Sequence, residues 1–438
     1  MTPTVARASV IAALSTCSLL VPLSGSAAAA AVATVVFVGS FAVRGGRLFE
    51  LLALPPDRAD GYLLSVALFV LAGVTLGAIA GATALGWPAV VGALLLVGYG
   101  TLAARLARPV FGDAVAAAAF CVGGGLAAVA GQAITYGVEG GAVADAFPEF
   151  TVLAASGALL AAICHERLPR YDDPLVVVVL GLVFWLLSEL EPAIGGWELA
   201  VAIGVMAVLG AAAYLLETAS VAGMLAGTLF GLVTIVLGGW GWFAVLIAFF
   251  GIGGFASKFR YDEKQRRGVA EGNDGARGSA NVFSNSAVAL AAVLGYAASD
   301  AGLLTASADL FAFAFAGAVA TALADTLSSE IGGVFDRPRL ITTLEPVEPG
   351  TDGAITWQGE LAGLTGAVVV AALTAALLPA VGATGFAVIV VAGVSGMTVD
   401  SLLGATIEGE TVGNQTVNFL ATLAGGTVAA FLMGPAGL

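Results

Sequence analysis

Long runs without a charged residue follow one another along this chain, and they constrain its fold more than any other feature. One run extends from Glu217 to Lys258 and another from Glu360 to Asp400. A membrane-spanning helix needs about 20 apolar residues, so each of these runs holds two helices separated by a glycine or proline break. Of the 438 residues, 59% are hydrophobic and 11% are charged, which excludes a soluble enzyme, a disordered chain and a nucleic-acid-binding protein. We predict an all-α, polytopic transmembrane helical bundle.

The same treatment of every run gives about 15 membrane helices. Lys and Arg test this count, because short loops that carry them stay in the cytoplasm. With the N-terminus inside, all Lys and Arg residues fall in inside loops, so we expect a multi-pass plasma-membrane protein whose C-terminus lies outside. The first segment has an alternative, a cleaved signal peptide, because Arg7 precedes an apolar run that ends in small residues. A retained helix is favoured, since a second apolar run follows at once.

The charge balance and the cysteine count narrow the possible partners and sites. The net charge is −14 and only two of the basic residues are lysines, Lys258 and Lys264. This acidic composition suggests a salt-adapted, halophile-like source and argues against an anionic macromolecular partner such as nucleic acid. Three cysteines without metal-site spacing and the single His165 argue against a disulfide framework or a zinc site.

Polar residues are distributed unevenly, and the chain divides near residue 196. Residues 1–196 form a transmembrane helical extension of unknown role, with short loops and no recurring intramembrane polar group. In residues 197–438, polar residues and glycines gather at four places, and all four fall on the inside of the predicted topology.

The first place is the loop 257–277 and the helix start that follows it. Lys258 and Arg260 emerge from a glycine-rich helix end, which suits them to a site. Lys264, like the neighbouring Arg266 and Arg267, is expected to be a solvated positive-inside residue. Asn281 and Asn285 lie one turn apart on one helix face and serve either helix packing or a ligand.

The second and fourth places each carry an acidic residue within or at the edge of a membrane helix. Asp325 shares a helix face with Ser328 and Ser329, and Glu330 follows. Asp400 precedes Ser401, and Asn414 and Asn418 repeat the one-turn amide spacing. A carboxylate in a membrane helix costs about 2.5–3.5 kcal/mol on insertion, so both acids are functional candidates. The alternative for Asp325 is a helix that ends early and leaves it among the lipid headgroups.

The third place is a loop that contains Thr342 and Thr343 and then the run Gly350-Thr351-Asp352-Gly353. Consecutive backbone N–H groups in such a run bind phosphate oxygens. A short tight turn is the alternative.

Together these places supply carboxylates, cations, hydroxyls and amides on one membrane face. Mg²⁺ is bound through one or two carboxylates plus substrate phosphates, and phosphoryl transfer depends mainly on positioning and charge neutralisation. The residues alone therefore indicate a phosphate-handling site for a lipid.

The motifs of residues 197–438, in their order, resemble a widespread integral membrane family that was long without an assigned function. The resemblance rests on Lys258-Phe259, Lys264, Ala270-Glu271, Arg277, Asn281-Val282, Asn285, Ala324 to Glu330, Ile341 to Thr343, Pro349 to Gly353 and Asp400 to Thr406. The family includes plant phytyl-phosphate kinase and the vertebrate transmembrane protein nineteen. Residues 1–196 have no counterpart in its minimal pattern.

The resemblance implies a membrane enzyme that converts an isoprenoid monophosphate to the diphosphate with CTP or ATP as donor. Asp325 and Asp400 would then hold Mg²⁺, with Glu330 as a third ligand, and Lys258 and Arg260 would neutralise the transferring phosphoryl group. The other expected binding residues are Asn281, Asn285, Ser328, Ser329, Thr342, Thr343, Gly350, Thr351, Gly353, Ser401, Asn414 and Asn418. The competing class is a transporter or flippase for a phosphorylated isoprenoid or lipid, because glycine-rich broken helices and intramembrane acids occur there too. A scaffold protein would leave the acids on one face unexplained, and the sequence leaves the oligomeric state open.

The predicted topology can be tested by labelling. Single cysteines at Ser257, Gly350 and Gly409 should react with an impermeant thiol reagent only from the cytoplasmic side, because all three lie in inside loops. Reaction of any of them from outside would contradict a single-faced site.

Overall fold

The computed structural model describes residues 3–167, 172–270, 278–409 and 412–434, and nearly all of its regular structure is helical. The chain divides into two compact units, Met1–Ala200 and Val201–Leu438. The boundary falls within the helix Gly196–Leu215.

In the described residues of the first unit, all regular secondary structure is helical. Its helix α7 is two helices joined at a kink, since Gly112 has a φ of +78° inside it and Pro109 precedes the kink. Arg7 links the first helix to the end of the helix Gly46–Leu52 by donating to Leu52 O at 3.0 Å. The helices are α1 (Pro3–Thr16), α2 (Leu20–Ser24), α3 (Ser26–Ala42), α4 (Gly46–Leu52), α5 (Pro55–Asp60), α6 (Leu64–Ala82), α7 (Trp87–Val138), α8 (Val143–Arg167), α9 (Asp172–Glu189) and α10 (Gly196–Leu215), with a short 3₁₀ helix at Cys17–Leu19.

The second unit adds eight helices and a two-stranded hairpin. Strand β1 pairs antiparallel with β2, with Arg339 opposite Ile355. The elements are α11 (Val221–Gly238), α12 (Trp240–Lys258), α13 (Tyr261–Arg267), α14 (Ser279–Asp300), α15 (Ala308–Gly332), β1 (Arg339–Leu340), β2 (Ala354–Ile355), α16 (Trp357–Leu377), α17 (Gly382–Thr406) and α18 (Asn414–Leu432).

The fold class predicted from the charge-free runs is confirmed: this is a polytopic helical membrane protein. Within the described ranges, 12 helices are long and apolar enough to span a membrane, or up to 13 if the bent pair α3 and α4 is one span. Counting the bent pair as one span, dividing α7 at Gly112 and including α9 gives 15 spans, which is the expected number.

Helix α15 is the central helix of the second unit. Of its apolar window 78% is buried, more than in any other of the 12 spans. Small residues allow its neighbours to approach closely, as is usual where helices pack in lipid. A Cβ on Gly363 of α16 would lie 2.9 Å from Ala324 O, and one on Gly396 of α17 would overlap the Thr321 side chain. Helices α16 and α17 are therefore held against α15 by backbone contact.

Contacts between loops and helix ends gather the polar segments of the second unit at one end, here called the polar end (residues 257–270, 325–356 and 400–409). Thr356 caps α16 by accepting from Gly359 N at 3.1 Å, and it donates to Gly332 O at 3.4 Å. A Cβ on Gly353 would lie 2.5 Å from Ser401 O, so the hairpin loop rests on the last turns of α17. Segments far apart in sequence thus meet at the end where α15 and α17 terminate.

Replacing Gly317 by Ala tests the close packing of α15. The new Cβ would lie 2.6 Å from Gly425 O, a backbone atom of α18 that cannot rotate away. We expect the free energy of unfolding to fall by about 1–3 kcal/mol, measured as a lower midpoint of thermal unfolding in detergent. Gly227→Ala is the matched control, because nothing lies within 4 Å of its Cβ position. Equal midpoints for the two variants would contradict the packing described here.

Candidate functional site

Two acidic side chains meet at the polar end. Asp325 lies one turn beyond Thr321 on α15, and Asp400 lies one turn beyond Gly396 on α17, so the close contact between Thr321 and Gly396 brings both acids to one level. The Asp400 carboxyl shares a hydrogen bond with the Asp325 carboxyl. We call these two residues the acid pair.

One oxygen of the acid pair is left without a hydrogen bond. Oδ1 of Asp400 is buried and has no hydrogen-bond partner among the described residues. Two carboxyl groups in contact either share a proton, which neutralises one of them, or both stay ionised beside a cation. The site is therefore built for a shared proton or a bound cation.

Glu330 does not join the acid pair as the sequence led us to expect. Its carboxylate accepts a hydrogen bond from the ammonium of Lys264, and both side chains are buried. In the described part of the chain, no group of three His, Cys, Asp or Glu residues is placed to hold a metal. The expected set of three carboxylates is thus reduced to two, because the third neutralises a buried lysine.

Lys264 was expected to be solvated, and that expectation is wrong. Only 1% of its side chain is exposed, and its Nζ also donates to Ser257 O at 2.6 Å and to Ala256 O at 3.3 Å. Arg266 does lie on the surface, as expected. The only sequence signal for Lys264 was the scarcity of lysine in a chain that otherwise uses arginine.

Arg267 departs from the expected solvated state in a milder way. It is partly buried, with ion pairs to Glu263 and Asp336 at 2.8 and 3.0 Å. The hydrogen bond from Arg267 holds the pKa of the Glu263 carboxyl below its ordinary value, with the charges of the nearby arginines acting in the same direction. These pairs join α13 to the segment that follows α15.

Lys258 and Arg260, the two expected cations of the site, lie near each other but differ in their contacts. Nζ of Lys258 donates to Leu216 O at 2.8 Å, which satisfies a carbonyl at the end of α10. Arg260 is exposed and begins α13 in the left-handed conformation, with a φ of +46°. The role of Lys258 on a phosphate stays a prediction, and the structure gives its ammonium another partner.

The glycine-rich loop forms a tight turn, which was the alternative to a phosphate-binding nest. The backbone N–H groups of Thr351 and Ala354 donate to carbonyls of the same turn, and the Thr351 hydroxyl donates to Glu348 O at 2.8 Å. Gly350 and Gly353 have positive φ values of +85° and +72°, as such a turn requires. Of the amides expected to bind phosphate, that of Thr351 is therefore occupied within the turn.

Acidic groups surround that turn. Burial raises the pKa of the Glu408 carboxyl above its ordinary value, and the charges of Asp352 and Asp400 raise it further. Sequence reasoning missed Glu408, since it follows the end of α17 and no motif marks it. A field this negative attracts a cation and repels a bare phosphate.

The amide candidates divide into buried and exposed residues. Asn285 is buried and its Nδ2 donates to Asn281 O at 3.0 Å, whereas Oδ1 of Asn281 is buried without a partner in the described ranges. Asn418 is buried and Asn414 is exposed. Helix packing and a ligand contact both stay possible roles for this amide pair.

The hydroxyl candidates lie at the same end without forming a cluster. Ser328 and Ser401 are half-buried, Ser329 is exposed, and Thr342 and Thr343 lie in an exposed turn where Thr343 Oγ1 accepts from Glu345 N at 3.3 Å. Ser257, named above for labelling, is buried, so the exposed Phe259 is the better position. Two residues of the family-like motifs, Glu271 and Arg277, lie outside the described residues.

Comparison with known proteins assigns the second unit to a family. Residues 204–426 match the family described as integral membrane protein DUF92. The chain belongs to this family. An uncharacterized membrane protein of Methanocaldococcus jannaschii is 30% identical over 217 residues, which is 47% of this chain and 82% of that protein.

Two plant proteins are also similar. The chloroplastic protein VTE6 of Arabidopsis thaliana is 31% identical over 185 residues, 42% of this chain and 55% of VTE6. Protein PGR of Arabidopsis thaliana is 33% identical over 188 residues, 38% of this chain and 64% of PGR. No solved structure matches the chain.

Amine modification tests the placement of the two lysines. In the folded protein, an amine-reactive ester should modify Lys258, which is exposed, and leave Lys264 unmodified, because Lys264 is buried in its contact with Glu330. Mass spectrometry of peptides before and after denaturation measures this difference. Equal modification of both lysines in the folded protein would contradict the buried ion pair.

Proposed function

We propose that this integral membrane protein is a prenyl-phosphate kinase, which transfers a phosphoryl group from a nucleotide to an isoprenoid monophosphate at the cytoplasmic face. The observation that carries the proposal is the acid pair, in which two carboxyl groups from different helices meet and one buried oxygen has no partner in the described part. The isoprenoid substrate comes from the similarity to the family that includes phytyl-phosphate kinase.

Mg²⁺ fits the donor set of the acid pair. This ion retains several waters and takes one or two carboxylates plus substrate phosphates, so it needs no third protein carboxylate. Asp325 and Asp400 would hold it, and it would supply charge neutralisation on the phosphate oxygens. The unpartnered Oδ1 of Asp400 is the atom that would bind such an ion.

In the proposed reaction, a terminal oxygen of the prenyl monophosphate forms a bond to the γ-phosphorus of CTP or ATP. The bond between that phosphorus and the β–γ bridging oxygen breaks, and the nucleoside diphosphate leaves. Arg260 is exposed at the polar end and suits charge neutralisation on the transferring group. The hydrocarbon tail needs only apolar helix surfaces in the bilayer.

A transporter of phosphorylated isoprenoids is the second candidate. It is favoured by one observation, the contact between two intramembrane carboxyls, because such a pair can carry a single proton through a transport cycle. A transporter would move its lipid across a vesicle membrane without consuming nucleotide.

The reaction is tested with purified protein, prenyl monophosphate, Mg²⁺ and labelled CTP or ATP. We expect formation of the diphosphate, and Asp325→Asn and Asp400→Asn should each lower turnover by about 100-fold or more and abolish Mg²⁺-dependent nucleotide binding. Asp309→Asn is the matched control on the same helix, because Asp309 is exposed at the opposite end of α15. Unchanged nucleotide binding in both acid variants would sink the metal assignment, and lipid movement without nucleotide consumption would establish the transporter.

A further inference from the structure

The buried ion pair between Lys264 and Glu330 has no part in the reaction proposed above. The Lys264 ammonium lies in a pocket made by the Glu330 carboxylate and the backbone oxygens of Ala256 and Ser257. It therefore connects three elements, the end of α12, the short helix α13 and the end of α15.

Stability alone is a weak reason to bury such a pair. Removing two charges from water is costly, and replacing a buried ion pair by apolar residues is often neutral or stabilising. Three hydrogen bonds to one ammonium do fix the position of Lys264 relative to α12 and α15, because these bonds are directional.

On α15, Glu330 lies five residues after Asp325. This offset places it about 7.5 Å further along the helix and on a different face, so Lys264 does not reach the acid pair. The ion pair therefore acts on the position of α13 and of the end of α15, not on the Asp325 carboxyl itself.

The far end of α13 leads to the other member of the acid pair. Val269, just after α13, packs against Gly350, where a Cβ would lie 3.2 Å from Val269 Cγ1. The same loop rests through Gly353 on Ser401, the residue that follows Asp400. Helix α13 thus joins α15 through the ion pair and joins α17 through the hairpin loop.

We propose that Lys264 and Glu330 are positioning residues that hold α13 between α15 and α17 and thereby set the placement of Asp400 relative to Asp325. This inference rests on the proposed function for its kinetic consequence, and its structural consequence is independent of that function.

The test is the double variant in which the charges are exchanged, Lys264→Glu with Glu330→Lys. Opposite charges still face each other, so no charge is left unpaired, but a carboxylate at position 264 cannot donate to Ala256 O and Ser257 O. Arg266→Ala is the matched control on the same helix, because it removes an exposed ion pair, which contributes little to stability.

The position of α13 is read directly from spin labels at Gln265 and Thr343, two exposed residues on α13 and on the hairpin turn. The labels are introduced after the native cysteines are replaced, which are Cys17, Cys121 and Cys164. We expect the distance distribution between the labels to broaden in the exchanged variant and to stay narrow in Arg266→Ala. In the exchanged variant kcat should fall by about 100-fold with the KM for nucleotide unchanged.

A narrow distribution and full kcat in the folded exchanged variant would overturn the proposal, since compensated charge alone would then suffice. If that variant does not fold, Glu330→Asp takes its place: it keeps both charges and shortens the link, and it should broaden the distribution and lower kcat, with an unchanged distribution overturning the proposal. If the wild-type protein shows no phosphoryl transfer, the proposed function fails and the label distances alone decide the positioning role.

Discussion

Close backbone packing around α15 determines where the charged groups of the second unit can lie. Helices in lipid gain little from burying apolar side chains against each other, so they associate through small residues that let backbones approach. Gly363 and Gly396 do this for α16 and α17. Because Asp325 and Asp400 lie one turn beyond the contact between Thr321 and Gly396, the same packing sets the separation of their carboxyl groups. A larger residue in place of Gly396 would push α17 away from α15 and so change the separation of the two carboxyl groups without contacting them.

The polar end contains two kinds of buried charge, and they differ in how they are satisfied. The Lys264 ammonium has three acceptors and Glu330 has a cation, so this pair is complete within the protein. In the acid pair, by contrast, the buried Oδ1 of Asp400 has no hydrogen-bond partner among the described residues. A buried oxygen without a partner requires a physical explanation, and a cation beside the two carboxyl groups would supply one.

Much of this architecture could be predicted from the sequence, because a membrane restricts the fold to apolar helices whose ends carry the charges. The charge-free runs predicted the helices, and the loop assignment predicted that Asp325 and Asp400 share one end of the unit. Lys264 was missed because a sequence shows a charge but not a partner 66 positions away. The loop from Gly350 to Gly353 was predicted to expose its amides, and its two glycines do have positive φ values. The direction of its N–H groups, however, depends on hydrogen bonds within the turn and on the contact with α17, which a sequence does not show.

The electrostatics of the polar end bear on the order in which ligands can bind. Asp352, Glu408 and the acid pair are all acidic, and burial together with these neighbours already raises the pKa of Glu408. A nucleotide triphosphate approaching this surface alone would meet charges of its own sign. A divalent cation reverses the local sign, since it is often the largest charge in such a site. If the acid pair handles phosphates, the cation must therefore enter before or with the nucleotide, and the exposed Arg260 is then the protein group suited to the outer phosphate oxygens.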